Sequence, residues 1–156
     1  DEMARRRSTS MQKTEVVGVR LDPKLKYLAE LGARIQRRTL SSYIEWAVQA
    51  SLGYVYPPNS NKSLMDMSET LWHVSEKARL VKLGIYYPSL LTFEEQVVWD
   101  AALLIGAITK EVSDAEEVLI DYDADKLHAA WEDLWKYAKN EMTIEDLKAK
   151  HMPAPF

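Results

Sequence analysis

The chain has 156 residues, of which 47 % are apolar, 28 % are charged and none is cysteine. This composition is typical of a folded globular protein, and it excludes a disulfide-stapled scaffold and a thiolate metal site. No stretch approaches the roughly 18 apolar residues that a membrane span needs, and no signal-peptide pattern is present. We therefore expect a cytoplasmic protein without a membrane anchor.

Charge is divided unevenly along the chain. Residues 1–53 carry ten Lys and Arg against six Asp and Glu, a net charge of +4. Residues 54–156 carry ten Lys and Arg against eighteen Asp and Glu, a net charge of −8. A basic end on an acidic protein indicates that this end meets a polyanion while the remainder has another task.

The first segments predict a flexible arm followed by a strand. Residues 1–13 are polar and basic and have no apolar period, which is typical of a mobile arm. Residues 15–21, EVVGVRL, are short and rich in valine, which predicts a β-strand.

Two helices are predicted after the strand. Asp22 and Pro23 have the residue types preferred at the N-cap and first position of a helix, and this helix should fade near residues 37–38. Its inner, apolar face is predicted to carry Leu25, Leu28, Leu31 and Ile35. Ser41 predicts the N-cap of a second helix, which Gly53 ends. Residues 14–53 are therefore predicted to form one domain.

The remainder is predicted to be a linker and an all-helical domain. Residues 54–63 contain two prolines and a polar run, which indicates a linker. Residues 64–152 carry apolar residues at helical spacing throughout, which predicts one helix from residue 64 to Gly84, one through residues 93–112 and a short one over residues 114–120. Thr92 and Glu95 have the form of a capping box, and Thr143 is predicted to cap the last helix. The predicted fold class is mostly α.

The strand at 15–21 has no predicted partner within its own chain. A lone strand leaves its backbone hydrogen bonds unsatisfied, so we expect it to pair with the same strand of a second copy as an antiparallel ribbon. Alternation places Val17, Val19 and Leu21 on the face that meets the helices. The opposite face carries Val16, Gly18 and Arg20. A two-stranded ribbon has the size that enters the DNA major groove.

Residues 14–53 resemble the ribbon-helix-helix DNA-binding domains, the Arc/MetJ-like group. The resemblance is carried by VRLDP at residues 19–23, TLSSYI at residues 39–44 and Ala47, in that order and spacing. It covers about a quarter of the chain. It implies an intertwined dimer, with one strand and two helices from each chain, that acts as a sequence-specific transcriptional regulator on double-stranded DNA.

The resemblance also implies which residues contact DNA. Base edges would be contacted by the outer face of the ribbon, namely Val16, Gly18 and Arg20. Phosphate would be bound through backbone N–H groups at the start of the second helix, namely Ser41, Ser42 and Tyr43. The arm adds candidate contacts to phosphate or a flanking minor groove, namely Lys13, Arg5, Arg6 and Arg7. Such a protein would be associated with the nucleoid.

Other functions remain open. The chain has the features of a DNA-binding antitoxin whose C-terminal part holds a toxin, although antitoxin tails are commonly short and disordered alone. An accessory protein of plasmid partition or transfer is a further alternative. The acidic residues 64–152 are expected to drive higher self-association, bind a protein partner or sense an effector.

No motif in the sequence indicates catalysis, a metal site or a cofactor. The three histidines, His73, His128 and His151, lack ligand spacing. The run IDYDAD at residues 120–125 resembles the start of a calcium loop but lacks the glycine and the closing glutamate. Four tryptophans at helical spacing are predicted to pack in the core or an interface, with an apolar ligand pocket as the alternative: Trp72, Trp99, Trp131 and Trp135.

Overall fold

A computed structural model describes residues 15–112 and 118–152 of the chain. Within these residues the protein is mostly helical, with seven α-helices and one two-stranded antiparallel sheet. The chain divides into two compact units, Asp1–Ala47 and Val48–Phe156, which we call the N-terminal unit and the C-terminal unit. None of the described helices combines the length and the apolar character needed to cross a membrane.

The first two helices each begin after a residue whose side chain accepts backbone amides of the first helical turn. Helix α1 spans Pro23–Ile35, and the Asp22 side chain accepts the amides of Lys24 and Leu25 at 3.0 and 3.1 Å, which confirms the predicted cap. Helix α2 spans Leu40–Leu52.

The predicted cap of α2 at Ser41 is wrong by two residues. The Thr39 hydroxyl accepts the amide of Ser42 at 3.1 Å, and the Thr39 carbonyl accepts the amide of Tyr43 at 2.9 Å. Threonine and serine are both good caps, so the TLSS run offered two candidates, and the structure uses the earlier one.

Residues 15–21 form neither a helix nor a strand in the single chain. No backbone hydrogen bond joins them to another part of the chain among the described residues. A strand forms only where a partner strand accepts and donates hydrogen bonds. The strand predicted here requires a second chain, and it therefore stays a prediction.

The C-terminal unit contains five further helices and the sheet. After α2, the elements in chain order are α3 (Ser68–Leu71), α4 (Glu76–Tyr86), a 3₁₀ turn (Pro88–Leu90), α5 (Phe93–Leu104), β1 (Ile108–Val112), β2 (Val118–Tyr122), α6 (Ala124–Ala138) and α7 (Ile144–His151). Strands β1 and β2 pair antiparallel, with Ile108 opposite Tyr122 and Val112 opposite Val118.

The expectation that residues 64–152 are entirely helical is wrong. The helix predicted through residues 93–112 ends at Leu104, and Gly106 follows with φ of 71°, a left-handed conformation that glycine adopts without strain. The chain then enters β1, and part of the short helix predicted over residues 114–120 lies in β2. The apolar run from Leu64 to Gly84 is likewise divided into α3 and α4 rather than forming one helix.

The core of the C-terminal unit lies between α4, α5, α6 and the start of β1. Its fully buried side chains include Val81, Val98, Ile108, Leu127 and Leu134. Helix α5 begins with the predicted capping box, in which Thr92 and Glu95 each accept the other's backbone amide. The core is thus built by helices with well-defined starts.

The segment predicted as a linker, residues 54–63, is held by the C-terminal unit. The amide of Leu64 donates to the carbonyl of Val55 at 2.8 Å, and the Tyr87 hydroxyl donates to the Ser60 hydroxyl at 3.1 Å. Pro57 is buried. These contacts give the segment a defined path.

Helix α7 is tied to α6 by a buried carboxylate. Asp133 is 4 % exposed, and its Oδ2 accepts hydrogen bonds from Lys150 Nζ at 2.7 Å and His151 Nε2 at 2.8 Å. These hydrogen bonds hold the pKa of the Asp133 carboxyl below its usual range. The carboxylate therefore stays ionised inside the fold because it is paired.

Candidate nucleic-acid interface

The segment predicted to form the ribbon is open to solvent. Val16, Val17 and Val19 are 99 %, 79 % and 62 % exposed, and Gly18 and Arg20 are exposed as well. Such exposure of three valines is unfavourable for an isolated chain, since full burial of one such side chain contributes about 1.5–3 kcal/mol. The segment thus has both the backbone groups and the apolar side chains that a partner strand would cover.

Helix α1 and helix α2, whose last turn lies in the C-terminal unit, have very little core between them. Ala33 is the buried residue of α1, and α2 has none. Three residues on the predicted inner face of α1, namely Leu25, Leu28 and Ile35, are 51 %, 51 % and 82 % exposed. A helix pair of this size cannot be stable with one buried side chain, so this unit requires a further surface to cover it.

Some of the backbone amides at the start of α2 donate hydrogen bonds within the chain. Among the three predicted phosphate-binding residues, the amide of Ser42 is used by the Thr39 cap and that of Tyr43 by the Thr39 carbonyl. The amides of Leu40 and Ser41 have no hydrogen-bond acceptor among the described residues. An anion at this helix end would meet these two amides, and it would gain the Ser42 amide only by displacing the Thr39 hydroxyl.

The Tyr43 side chain has a structural task that the sequence did not reveal. A Cβ at Gly32 would lie 2.5 Å from Cζ and Oη of the Tyr43 ring, so glycine in α1 leaves the space that the ring fills. The Tyr43 and Trp46 rings lie 5.5 Å apart, and the Arg38 guanidinium lies 5.8 Å from the Trp46 ring centroid. This cluster supports the turn between α1 and α2. Its residues are not regularly spaced in the sequence, so periodicity does not predict it.

The basic residues of the N-terminal unit are distributed over the ribbon segment, α1 and the turn. Lys26 forms an ion pair with Glu30 at 3.8 Å along α1, and Arg37 adopts φ of 54° in the turn. The predicted arm contacts Lys13, Arg5, Arg6 and Arg7 lie outside the described residues. The predicted base contacts and the phosphate-binding residues stay predictions.

No protein-family model, no curated protein and no solved structure matches this chain.

Proposed function

We propose that this protein is a sequence-specific DNA-binding transcriptional regulator with a ribbon-helix-helix N-terminal unit. The observation that carries the proposal is an N-terminal unit with one buried side chain in its first helix and an exposed segment, residues 15–21, that forms no backbone hydrogen bond with the rest of the described chain. Both deficits are removed by one event, the pairing of residues 15–21 with a second copy. The valines of the inner ribbon face then cover the exposed leucines and isoleucine of α1.

Dimer formation would create the DNA-binding surface. The paired strands present Val16, Gly18 and Arg20 from each chain on one face of the ribbon. Arg20 is the residue on this face that donates hydrogen bonds, and an arginine pairs in two-point fashion with guanine in the major groove. Val16 offers apolar contact to a thymine methyl, and Gly18 allows close approach of the backbone.

Charge supports the same assignment. Residues 1–53 carry a net charge of +4 in a protein whose total is −4, so attraction to DNA is concentrated at this end. The open amides of Leu40 and Ser41 add a phosphate site at the start of α2. The C-terminal unit would serve assembly of dimers on adjacent half-sites or contact with a further protein.

The experiment is selection of bound sequences from random duplex DNA with the full-length protein, followed by titration of the selected site. Arg20→Ala is expected to weaken binding to that site by about 5- to 150-fold for each guanine that no longer pairs with an arginine, equivalent to about 1–3 kcal/mol. Arg34→Ala, which removes an exposed arginine from α1, is the matched control. Affinity of the native protein should fall steeply with salt because phosphate contacts release counterions.

Two results would contradict the proposal. One is selection that returns no enriched sequence. The other is an equal reduction of affinity for Arg20→Ala and Arg34→Ala, which would indicate general electrostatic attraction rather than readout by the ribbon.

A further inference from the structure

An apolar groove of about 620 Å³ opens on the C-terminal unit between α3, α4 and α6. Its walls carry the indoles of Trp72, Trp131 and Trp135 together with leucines of α3 and α4. The rings of Trp131 and Trp135 meet edge to face, with centroids 5.9 Å apart. Trp99 is instead buried in the core. A groove of this size and lining is typical of a site for a small organic molecule.

The charged groups that line this groove carry a net charge of −1, from Glu76 and Glu95 against Arg79. The Arg79 guanidinium is held in place by its Nη1, which donates to the carbonyls of His73 and Val74 at 2.9 and 3.3 Å. It also lies 4.9 Å from the Trp72 ring centroid. Glu95 accepts the Thr92 amide through one oxygen. Glu76 has no hydrogen bond or ion pair within the described part of the chain.

A second groove beside the same tryptophan pair is also lined by more carboxylates than cations. It has a volume of about 500 Å³ and shares Glu76, Trp131 and Trp135 with the first. Its other charged residues are Glu94, Glu132 and Glu141, against Lys136 and Lys139. Lys77, whose ammonium lies 5.3 Å from the Trp131 ring centroid, lines different grooves. Carboxylates still outnumber cations, by four to three, when Lys77 on the Trp131 ring is counted with this second groove.

We propose that this groove binds a small hydrophobic cation, of the aromatic or quaternary ammonium class. Indole faces attract cations through their negative π-surface, and Glu76 and Glu95 add attraction for positive charge. An anion would be repelled by these two carboxylates. A neutral apolar molecule would cover them without compensation. The groove lies in the C-terminal unit, and ligand binding there is measured without DNA.

The test compares two probes of the same shape and opposite charge, tetraphenylphosphonium and tetraphenylborate. Equilibrium dialysis against the full-length protein measures the affinity of each. We expect the cation to bind at least tenfold more tightly than the anion. Equal affinities, tighter binding of the anion, or no binding of either probe would overturn the proposal. Binding of the cation that appears only when the protein is diluted would also overturn it, because a second copy would then be the occupant.

Charge variants locate the binding site. Glu76→Gln and Glu95→Gln are each expected to weaken cation binding by about two- to fivefold, and together by about tenfold. Glutamine at position 95 keeps an acceptor for the Thr92 amide, so the start of α5 is retained. The matched control, Glu111→Gln with Glu145→Gln, removes two charges from β1 and from the first turn of α7. Equal weakening in both double variants would contradict binding in this groove.

Discussion

The substitution Gly84→Ala tests the packing of α4 on α5, which positions the groove of the C-terminal unit. A Cβ at residue 84 would lie 2.4 Å from Cε3 and Cζ3 of Trp99. Carbon atoms in favourable contact are about 3.5–4.0 Å apart, so the ring would have to move by about 1 Å. Trp99 is 7 % exposed, and its neighbour in sequence, Val98, is fully buried, which leaves little room for that movement.

The expected reduction in stability follows from two opposing effects. Overpacking a close-packed core costs about 1–3 kcal/mol, and a contact this short in a buried ring belongs at the upper end of that range. Alanine recovers about 1 kcal/mol of helix propensity relative to glycine. We therefore expect Gly84→Ala to lower the free energy of unfolding of the C-terminal unit by about 2 kcal/mol.

Urea unfolding followed by circular dichroism measures this reduction. Gly32→Ala is the matched control, because its Cβ would meet the far end of the half-buried Tyr43 side chain, which can rotate away at lower cost. The cost of Gly84→Ala should also shrink in a Trp99→Leu background, since the clashing ring is absent there. Unchanged or increased stability of Gly84→Ala would refute the packing described between α4 and α5.

Two further predictions concern capping and pH. Thr39→Ala should destabilise the N-terminal unit by about 1 kcal/mol, because the cap of α2 is lost. Ser41→Ala should have little effect on stability measured by thermal unfolding. A larger loss of stability in Ser41→Ala than in Thr39→Ala would contradict the cap at Thr39. Asp133→Asn should lower stability at pH 7 by about 1–3 kcal/mol, because Lys150 and His151 then have no ionised acceptor. Hydrogen bonding to Lys150 and His151 lowers the pKa of Asp133 in the folded state. The contribution of Asp133 to the free energy of unfolding is therefore complete above the pKa of this group in the unfolded chain, and it is lost as pH falls below roughly 4. Stability measured against pH should therefore fall less steeply below pH 4 in Asp133→Asn than in the native protein, and identical slopes would contradict this role.

Several helix starts, although not that of α2, could be predicted from the sequence because they depend on a few neighbouring residues. Asp22 with Pro23, Thr92 with Glu95, and Thr143 each cap a helix as their residue types indicate. Such signals require no knowledge of the rest of the fold.

The β1–β2 hairpin was missed because its residues also fit a helical pattern. Ile108 and Val112 are four residues apart, which places them on one face of a helix as readily as on one face of a strand. Gly106 was the local signal that ends α5, since glycine is common just after a helix. The strands themselves depend on pairing across the loop between them, which no local pattern specifies.

Tertiary packing also separated the roles of the tryptophans. Spacing could not distinguish Trp99, which α4 buries at Gly84, from Trp131 and Trp135, which line the groove. The apolar face of α1 is predicted to be buried, whereas Leu25, Leu28 and Ile35 are exposed in the single chain.

Disulfide formation between two copies tests this pairing most directly, because the native chain contains no cysteine. In a symmetric antiparallel ribbon over residues 15–21, Gly18 lies opposite Gly18 of the second copy. Val16 lies opposite Arg20, so two copies of residue 16 would be about 13 Å apart, beyond the roughly 7 Å between Cα atoms that a disulfide allows.

The measurement is the fraction of covalent dimer after mild oxidation of full-length single-cysteine variants. We predict that Gly18→Cys forms the dimer readily, that Val16→Cys alone and Arg20→Cys alone do not, and that a mixture of the latter two does. Val74→Cys, at a residue that is 85 % exposed in the C-terminal unit, serves as the control for random collision. Equal cross-linking at residues 16, 18 and 74, or none at any of them or in the mixture, would contradict the paired ribbon on which the proposed function depends.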